Sequence, residues 1–484
     1  MALRTGSQYL AALRDGRTVI HDGRAVDVSE APGFAATAAT VAQFYDFQNL
    51  ASMAEIMSYT SEDGERVGMA FIEPRSREDL RRRAAAYAAW AEVSCGLMAR
   101  SPDYMSTCLA ALGGISRVFE GVDPVLAARA RKIYIDARTR DLCYTHTFSE
   151  PFKVLPPASE GSEPAPSCRV VRETADGLVI SGARALATLA PFSDMNFDLP
   201  GGALCVREGQ PWLAGFVMPS SAPGLRWICR DTLGGSGREA SLSSRCDEMD
   251  CVALFDECLI PWEQVYLLVP ADTPFPAMPL VMAGLQHHVV VRCVAKTRLF
   301  VGLAHLIAES SRVGQFVNVR AKIGEMIGFL NTMEAFAMAA IEGAIEDPET
   351  GHCVPHPASV EAGVTMYSEF HGKMVHHLLD LGGSRYMSTP QAATLDLLGG
   401  LVEDHFRGRA ESGRDNVALF RLAWDLVGSG WGSRHNLYER FHFGDATLRK
   451  SAAYLHHDMD GAVGMVRRLL KLPAAGGFST GAEG

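Results

Sequence analysis

Apolar residues recur at helical spacing over most of the chain, whereas a stretch of about 120 residues in its middle alternates as short strands do. Residues 1 to about 74 read as an irregular arm with short helices, in which Val19 to Val26 folds back through an Asp22-Gly23 turn. Ser76 and Asp79 form a weak capping box. The helix after it carries Leu80, Ala84, Tyr87, Ala91 and Val93 to about Leu97. Ser101-Pro102 is a second start signal, with serine free to cap and proline suited to the first helical position. That helix is expected to reach about Ala111, and another to span Pro124 to Ala137.

The pattern changes near Asp141 to His146, after which Pro151, Pro156, Pro157, Pro164 and Pro166 break any helix. Val170 to Glu173 and Leu178 to Ser181 flank an Asp176-Gly177 turn and predict a hairpin. Further strands are expected at 203–206, 213–218, 225–229, 251–255 and 265–269. From Met282 the helical period returns. Phe316, Val319, Ile323, Met326, Ile327, Leu330 and Met333 mark one buried stripe, and 282–312, 358–382 and 414–427 look alike, so several long helices should pack antiparallel. The glycine-rich tail after Pro473 is expected to be disordered.

At 484 residues with a formal charge of -11, the chain is long enough for several domains and too acidic for nucleic acid to be its main partner. Arg81-Arg82-Arg83 is the only basic run and reads as a solvated helix face. No segment reaches eighteen consecutive apolar residues and the amino terminus lacks an apolar signal region, so a cytoplasmic protein without membrane contact is expected. Eleven cysteines occur without a CxxC pair, which points to reduced thiols and no metal. The adjacent pairs His287-His288, His376-His377 and His456-His457 diverge on a helix and do not make ligand pairs.

Four places are candidates for chemistry. Arg100 stands just outside the helix that Ser101-Pro102 opens and Tyr104 lies in its first turn, so a guanidinium and a phenol can face one small anionic or phenolic ligand. A surface arginine and a core tyrosine would have the same sequence. His146 sits at the junction of the helical and strand-rich regions, where a histidine can transfer protons or merely fill a structural role. The small residues around Thr188 suit either a planar ligand or tight strand packing. Gly428-Ser429-Gly430-Trp431-Gly432-Ser433-Arg434 is either a helix-to-helix turn or a set of N–H groups for a phosphate, with Ser433 as candidate N-cap. The loop around Gly234 to Ser244 is a candidate lid.

These residues carry a resemblance. Arg4 to Leu10, Gly96 to Tyr104, Leu186 to Pro191, Ser243 to Asp250, Ile260 to Glu263, Leu422 to Ser429 and Ser433 to Phe441 follow, in order, the motifs of the 4-hydroxyphenylacetate 3-hydroxylase oxygenase family. The chain is identified as a member of that family of two-component, FADH2-dependent aromatic monooxygenases. The resemblance implies an α+β, mainly α fold like that of acyl-CoA dehydrogenases: a helical N-terminal domain (1–145), a central β-barrel (146–275), a C-terminal four-helix bundle (276–470) and a tail (471–484). It implies FAD, reduced by a separate flavin reductase, O₂, a flavin C4a-hydroperoxide and hydroxylation of a small aromatic substrate next to its phenol, free or carrier-tethered. It also implies a homotetramer.

Carried over by the resemblance, Arg100, Tyr104 and His146 surround the substrate hydroxyl. His146, Phe152, Lys153, Thr188, Ser429, Gly430, Trp431 and Gly432 contact the flavin. The stretch Glu150 to Leu155 departs from the family's more polar segment, which implies an altered grip on the ring or an unusual substrate. A related dehydratase of acyl-CoA would need cysteines and a histidine for an iron–sulfur cluster; Arg100 and Tyr104 stand where a CxxxC pair would be expected, and no cysteine pair replaces them. A relative without catalysis, serving as a flavin-binding scaffold, would not need Arg100, Tyr104 and His146 together.

Overall fold

The computed structural model describes residues 3–120, 123–147, 149, 151, 168–207, 209–234, 242–273 and 278–472. Phe152, Lys153, most of the Leu233 to Arg245 segment and the tail after Leu472 lie outside them.

Apart from one short turn at Ala54–Met57, the helices that lead the chain are α1 (Gly6–Ala12), α2 (Ala35–Gln48), α3 (Arg77–Val93), α4 (Pro102–Glu120) and α5 (Pro124–Arg140). Thr5 and Gln8 cap α1 reciprocally, and the Asp79 N–H donates to Ser76 Oγ at 3.1 Å to start α3. Helix α3 stops at Val93, short of Leu97, because Cys95 and Gly96 adopt positive φ of 52° and 69°. A Cβ on Gly96 would lie 2.7 Å from the Arg292 carbonyl oxygen, so only glycine lets this turn settle on the helix behind it. Helix α4 runs well past Ala111. Gly113 and Gly114 do not end it, since their missing side chains make room for the rings of Tyr134 and His352. Arg83 is 3% exposed, so the arginine run is not a wholly solvated face; only Arg81 and Arg82 turn outward.

Apart from two small hairpin-like pairs (Ser58–Thr60 with Arg66–Gly68, Ile345–Glu346 with Cys353–Val354), the strands are β1 (Thr18–His21), β2 (Arg24–Ala25), β3 (Tyr144–Thr147), β4 (Cys168–Glu173), β5 (Gly177–Thr188), β6 (Met195–Arg207), β7 (Gln210–Pro219), β8 (Leu225–Cys229), β9 (Asp250–Pro261) and β10 (Val265–Pro270). Among the described residues they form one sheet in the order β10-β7-β6-β4-β5-β9-β8-β1-β2, with β3 parallel to β6 off that path. The expected β4–β5 and β1–β2 hairpins are present. The amino-terminal hairpin is not a free arm, because β1 pairs parallel with β8 and buries Val19 in the core.

Long helices follow: α6 (Met278–Ser310), α7 (Val317–Glu342), α8 (Pro357–Gly382), α9 (Gly413–Val427) and α10 (Gly430–Phe441), then α11 (Ala446–His456) and α12 (Asp460–Leu470). Helices α6, α7 and α8 pack on one another, and α8 packs on α10. The stripe on α7 is Val319, Met326, Phe329 and Met333, while Phe316 and Ile327 face outward. Phe316 precedes the helix and is free of its period. No helix among the described residues is long and apolar enough to cross a membrane.

Asp141 ends α5 in the left-handed region (φ 52°) and accepts 2.6 Å from Gln48 Nε2. Burial raises its pKa to about 6. The folded protein therefore prefers the neutral carboxyl; the cost is absent below pH 4, grows toward pH 6, and reaches about 3 kcal/mol at neutrality. Asn tolerates the same backbone region. Asp141→Asn is expected to raise the thermal midpoint at pH 8 and to leave it nearly unchanged at pH 4, as read by circular dichroism; an equal effect at both values would contradict this.

Candidate active site

Tyr104 falls in the first turn of α4, as its start signal predicts, and the Arg100 guanidinium lies over its ring at 4.1 Å from the centroid. Ser101 donates to the Asp103 carboxylate at 2.6 Å. His146 approaches from β3, its ring 6.0 Å from that of Tyr104. The structure thus brings Arg100, Tyr104 and His146 together from two different regions of the chain.

Arg100 is 5% exposed, and among the described residues its Nε and Nη1 have no hydrogen-bond partner and no carboxylate within ion-pair distance. Its backbone N–H donates to Glu248 Oε1 at 2.5 Å. Burial alone would lower the Arg100 pKa, yet Tyr104, Tyr438 and Glu248 hold it above its ordinary value. The same burial, with Arg100 beside it, pushes His146 well below the usual imidazole range. The pocket therefore combines a fixed positive charge with a neutral imidazole, an arrangement that accepts an oxyanion and its proton separately.

Thr188 ends β5 opposite Asp250 on β9. Its hydroxyl donates to Asp250 Oδ1 at 2.8 Å, and its carbonyl accepts from Thr145 Oγ1 at 2.8 Å, one residue from His146. Asp250 also takes Arg434 Nε at 2.7 Å and Arg230 Nε at 2.9 Å. Despite its burial, those two guanidiniums hold it well below the usual carboxylate range.

The glycine-rich stretch is placed differently from expectation. Ser429, not Ser433, is the N-cap: Ser429 Oγ accepts from the Gly432 N–H at 2.9 Å, and Gly430 to Gly432 form the first turn of α10. Serine four residues before Ser433 wins because the Gly432 backbone can then pack against Leu426, where a Cβ would lie 2.5 Å from the carbonyl. Trp431 is fully buried, its indole donating to the Cys246 carbonyl at 3.3 Å. It is a packing residue in this conformation and offers no open ring face. Gly430 is the open position: among the described residues a Cβ there would meet only Leu233, at 3.6 Å.

Sequence reasoning missed Arg434, Tyr438 and His288. Tyr438 lies between the guanidiniums of Arg434 (4.8 Å) and Arg100 (5.5 Å). His288, discounted as half of a histidine pair, stands 3.1 Å from Asp103 with its ring edge-on to Tyr104 at 5.5 Å. The spacing of Trp431, Arg434, His435, Tyr438 and Glu439 on one helix was the available signal. No group of three or more possible metal ligands occurs among the described residues.

Behind these groups, Glu439 receives both Arg292 (2.8 and 3.0 Å) and Lys296, all three fully buried. Arg292 also donates to the Gly96 carbonyl at 2.8 Å.

Two family models match the chain: the 4-hydroxyphenylacetate 3-hydroxylase N-terminal model over residues 5–267 and its C-terminal model over residues 282–471. The oxygenase component of 4-hydroxyphenylacetate 3-monooxygenase from Thermus thermophilus is 34% identical over 97% of both chains. A (3S)-3-amino-3-(3-chloro-4-hydroxyphenyl)propanoyl-peptidyl-carrier-protein monooxygenase of Streptomyces globisporus is 29% identical, covering 91% of this chain and 85% of its own. A crystal structure of an oxygenase component of 4-hydroxyphenylacetate 3-monooxygenase complexed with FAD and 4-hydroxyphenylacetate superposes with a TM-score of 0.88 at 34% identity, over 97% of this chain and 98% of that one.

Glu439→Gln leaves Arg292 and Lys296 buried without a counter-charge, and breaking such a pair costs about 3–5 kcal/mol. A urea titration is expected to show a loss of that size; a loss below about 1 kcal/mol would mean that the network does not hold the site.

Proposed function

The chain belongs to the 4-hydroxyphenylacetate 3-hydroxylase family, and from that premise we propose that Arg100, Tyr104 and His146 work as one clamp on the hydroxyl of a phenolic substrate. The protein is the oxygenase component of a flavin-dependent monooxygenase. Its FAD arrives reduced from a separate reductase, and the reaction adds one oxygen of O₂ to the ring ortho to the hydroxyl.

One observation carries the reading of the clamp: a buried, permanently charged guanidinium with two open N–H positions beside a neutral imidazole. Arg100 holds the phenol oxygen as its charge develops, Tyr104 orients it, and His146 takes the proton. A ring that has lost this proton is electron-rich at the ortho carbon, which is what attack on an activated oxygen requires. Burial of Arg100, Tyr104 and His146 keeps bulk water from that oxygen.

The residues on the opposite wall fit a flavin. Arg434 Nη1 is a buried polar atom without a hydrogen-bond partner among the described residues, and a planar ring edged with carbonyls and N–H groups would satisfy such an atom. Thr188, the Gly430 end of α10, the Ser429 cap and His146 would hold it, with Phe152 and Lys153 assigned to it by sequence alone. Reduced FAD, when bound, supplies the electrons that activate O₂. Trp431 and Gly432 support that wall through packing.

The divisions at 145, 275 and 470 follow the changes from helices to sheet to helices, and the ten-stranded sheet is taken as the family's barrel and the long helices as its four-helix bundle. Uncovered apolar side chains on the last helices, among them Leu448, Leu455, Leu469 and Leu470, support a homotetramer. A free phenol and a carrier-borne phenol would place the same hydroxyl at the clamp, and turnover with a panel containing both separates them.

His146→Asn is expected to lower hydroxylation by about 10²–10⁴-fold while reduced FAD is still consumed by O₂, so that hydrogen peroxide replaces the catechol in the product assay. The burial and neighbouring charge that depress the His146 pKa also keep it neutral through pH 6 to 8, so the rate should show no acid limb near the ordinary histidine value. Full coupling in the variant, or a limb near pH 6.5 that His146→Asn abolishes, would contradict the assignment.

A further inference from the structure

Tyr438 is the polar group at this site that the clamp does not use. It stands on α10 with Arg434 one turn before it and His442 one turn after, and the His442 ring stacks on it at 5.0 Å and 13°. The Arg434 and Arg100 guanidiniums lie against its ring at 4.8 and 5.5 Å. A ring held by three neighbours has little freedom to swing, so its hydroxyl has a fixed direction. The residue is partly accessible, but that hydroxyl is buried and has no hydrogen-bond partner among the described residues.

A buried hydroxyl left unpaired costs about 1–3 kcal/mol. A packing role needs only the ring and would be served by phenylalanine without that cost. Arg100 just before α4, Tyr104 in its first turn, Arg292 from α6 and Glu248 from the segment before β9 act on the hydroxyl electrostatically, while Arg434 and His442 stand against the ring. Two of them belong to the clamp. Arg434, against the Tyr438 ring, is bonded to Asp250, which in turn accepts from Thr188.

We propose that the Tyr438 hydroxyl is a further hydrogen-bond donor to the ionised oxygen of the phenolic substrate, alongside Arg100 and Tyr104, and so is a catalytic residue. This rests on the clamp described above. Developing charge on the phenol oxygen then meets donors from two regions of the chain, α4 and α10. Its ring couples the clamp to Arg434 and Asp250.

The test uses the full chain loaded with oxidised FAD, which cannot turn over, and 4-nitrophenol, whose phenolate absorbs in the visible and reports its own ionisation. Tyr438→Phe is expected to move the apparent pKa of the bound probe upward by about one unit, the effect of losing one hydrogen bond to a charged group. FAD affinity and the thermal midpoint should stay at parental values. An unchanged probe titration in Tyr438→Phe, with Arg100→Lys shifting it, would overturn the role of Tyr438 and leave the clamp standing. Unchanged titrations in both variants would overturn the clamp itself. A fall in FAD affinity with the probe unmoved would assign the hydroxyl to the flavin and likewise overturn the proposal. If Tyr438→Phe does not fold, 3,5-difluorotyrosine at position 438 keeps the ring and makes the hydroxyl a stronger donor; the expected shift is then downward, and an upward or absent shift refutes it.

Discussion

The ionic triad of Glu439, Arg292 and Lys296 is the constraint on which the rest of the site depends. All three side chains are buried, and a charge in that position persists only when it is paired and further hydrogen-bonded. The pairing joins α6 to α10, and the Arg292 bond to the Gly96 carbonyl joins both to the turn that precedes Arg100. The turn itself needs a glycine, since any Cβ at position 96 would strike the α6 backbone. Three segments far apart in sequence are thereby fixed to one another. Burial lowers the Lys296 pKa to about 8 even with Glu439 beside it, which shows how much desolvation the pairing must offset.

From this frame the electrostatics of the site follow. Glu439 takes up Arg292, and Asp250 takes up Arg434 and Arg230, so neither carboxylate remains for Arg100. Among the described residues Arg100 is left with open N–H groups in a dry place, and that burial, with the Arg100 charge added to it, depresses His146. The two functions proposed for the clamp, holding an anion and accepting a proton, rest on that burial and on a cation without an ion-paired carboxylate among the described residues. Thr188 and Asp250 sit one strand away, bonded through Thr145 to the strand that carries His146, so the wall assigned to flavin and the wall assigned to substrate share a backbone.

Much of this was legible in the chain. Ser101-Pro102 announced α4 and placed Tyr104 correctly because capping chemistry is local. The helix ends were less legible, since Gly113 and Gly114 look like terminators and instead accommodate rings from distant segments. For the same reason Ser433 was mistaken for the cap that Ser429 provides: the choice is made by contact with Leu426. Arg434, Tyr438 and His288 went unseen because their significance lies in what they face across the fold, and nothing in the spacing of one helix reports its partner. Trp431 is a related case, conspicuous by composition yet wholly occupied in packing. The family resemblance brought His146 and Arg100 together where local pattern could not.

A crystal structure of the full chain with oxidised FAD and a simple phenol tests the central claim most directly. The account predicts the phenol oxygen within hydrogen-bond distance of Arg100, Tyr104 and His146, with the flavin ring on the Thr188 side. A phenol bound with its hydroxyl turned away from Arg100, or a flavin lying over the clamp itself, would contradict it.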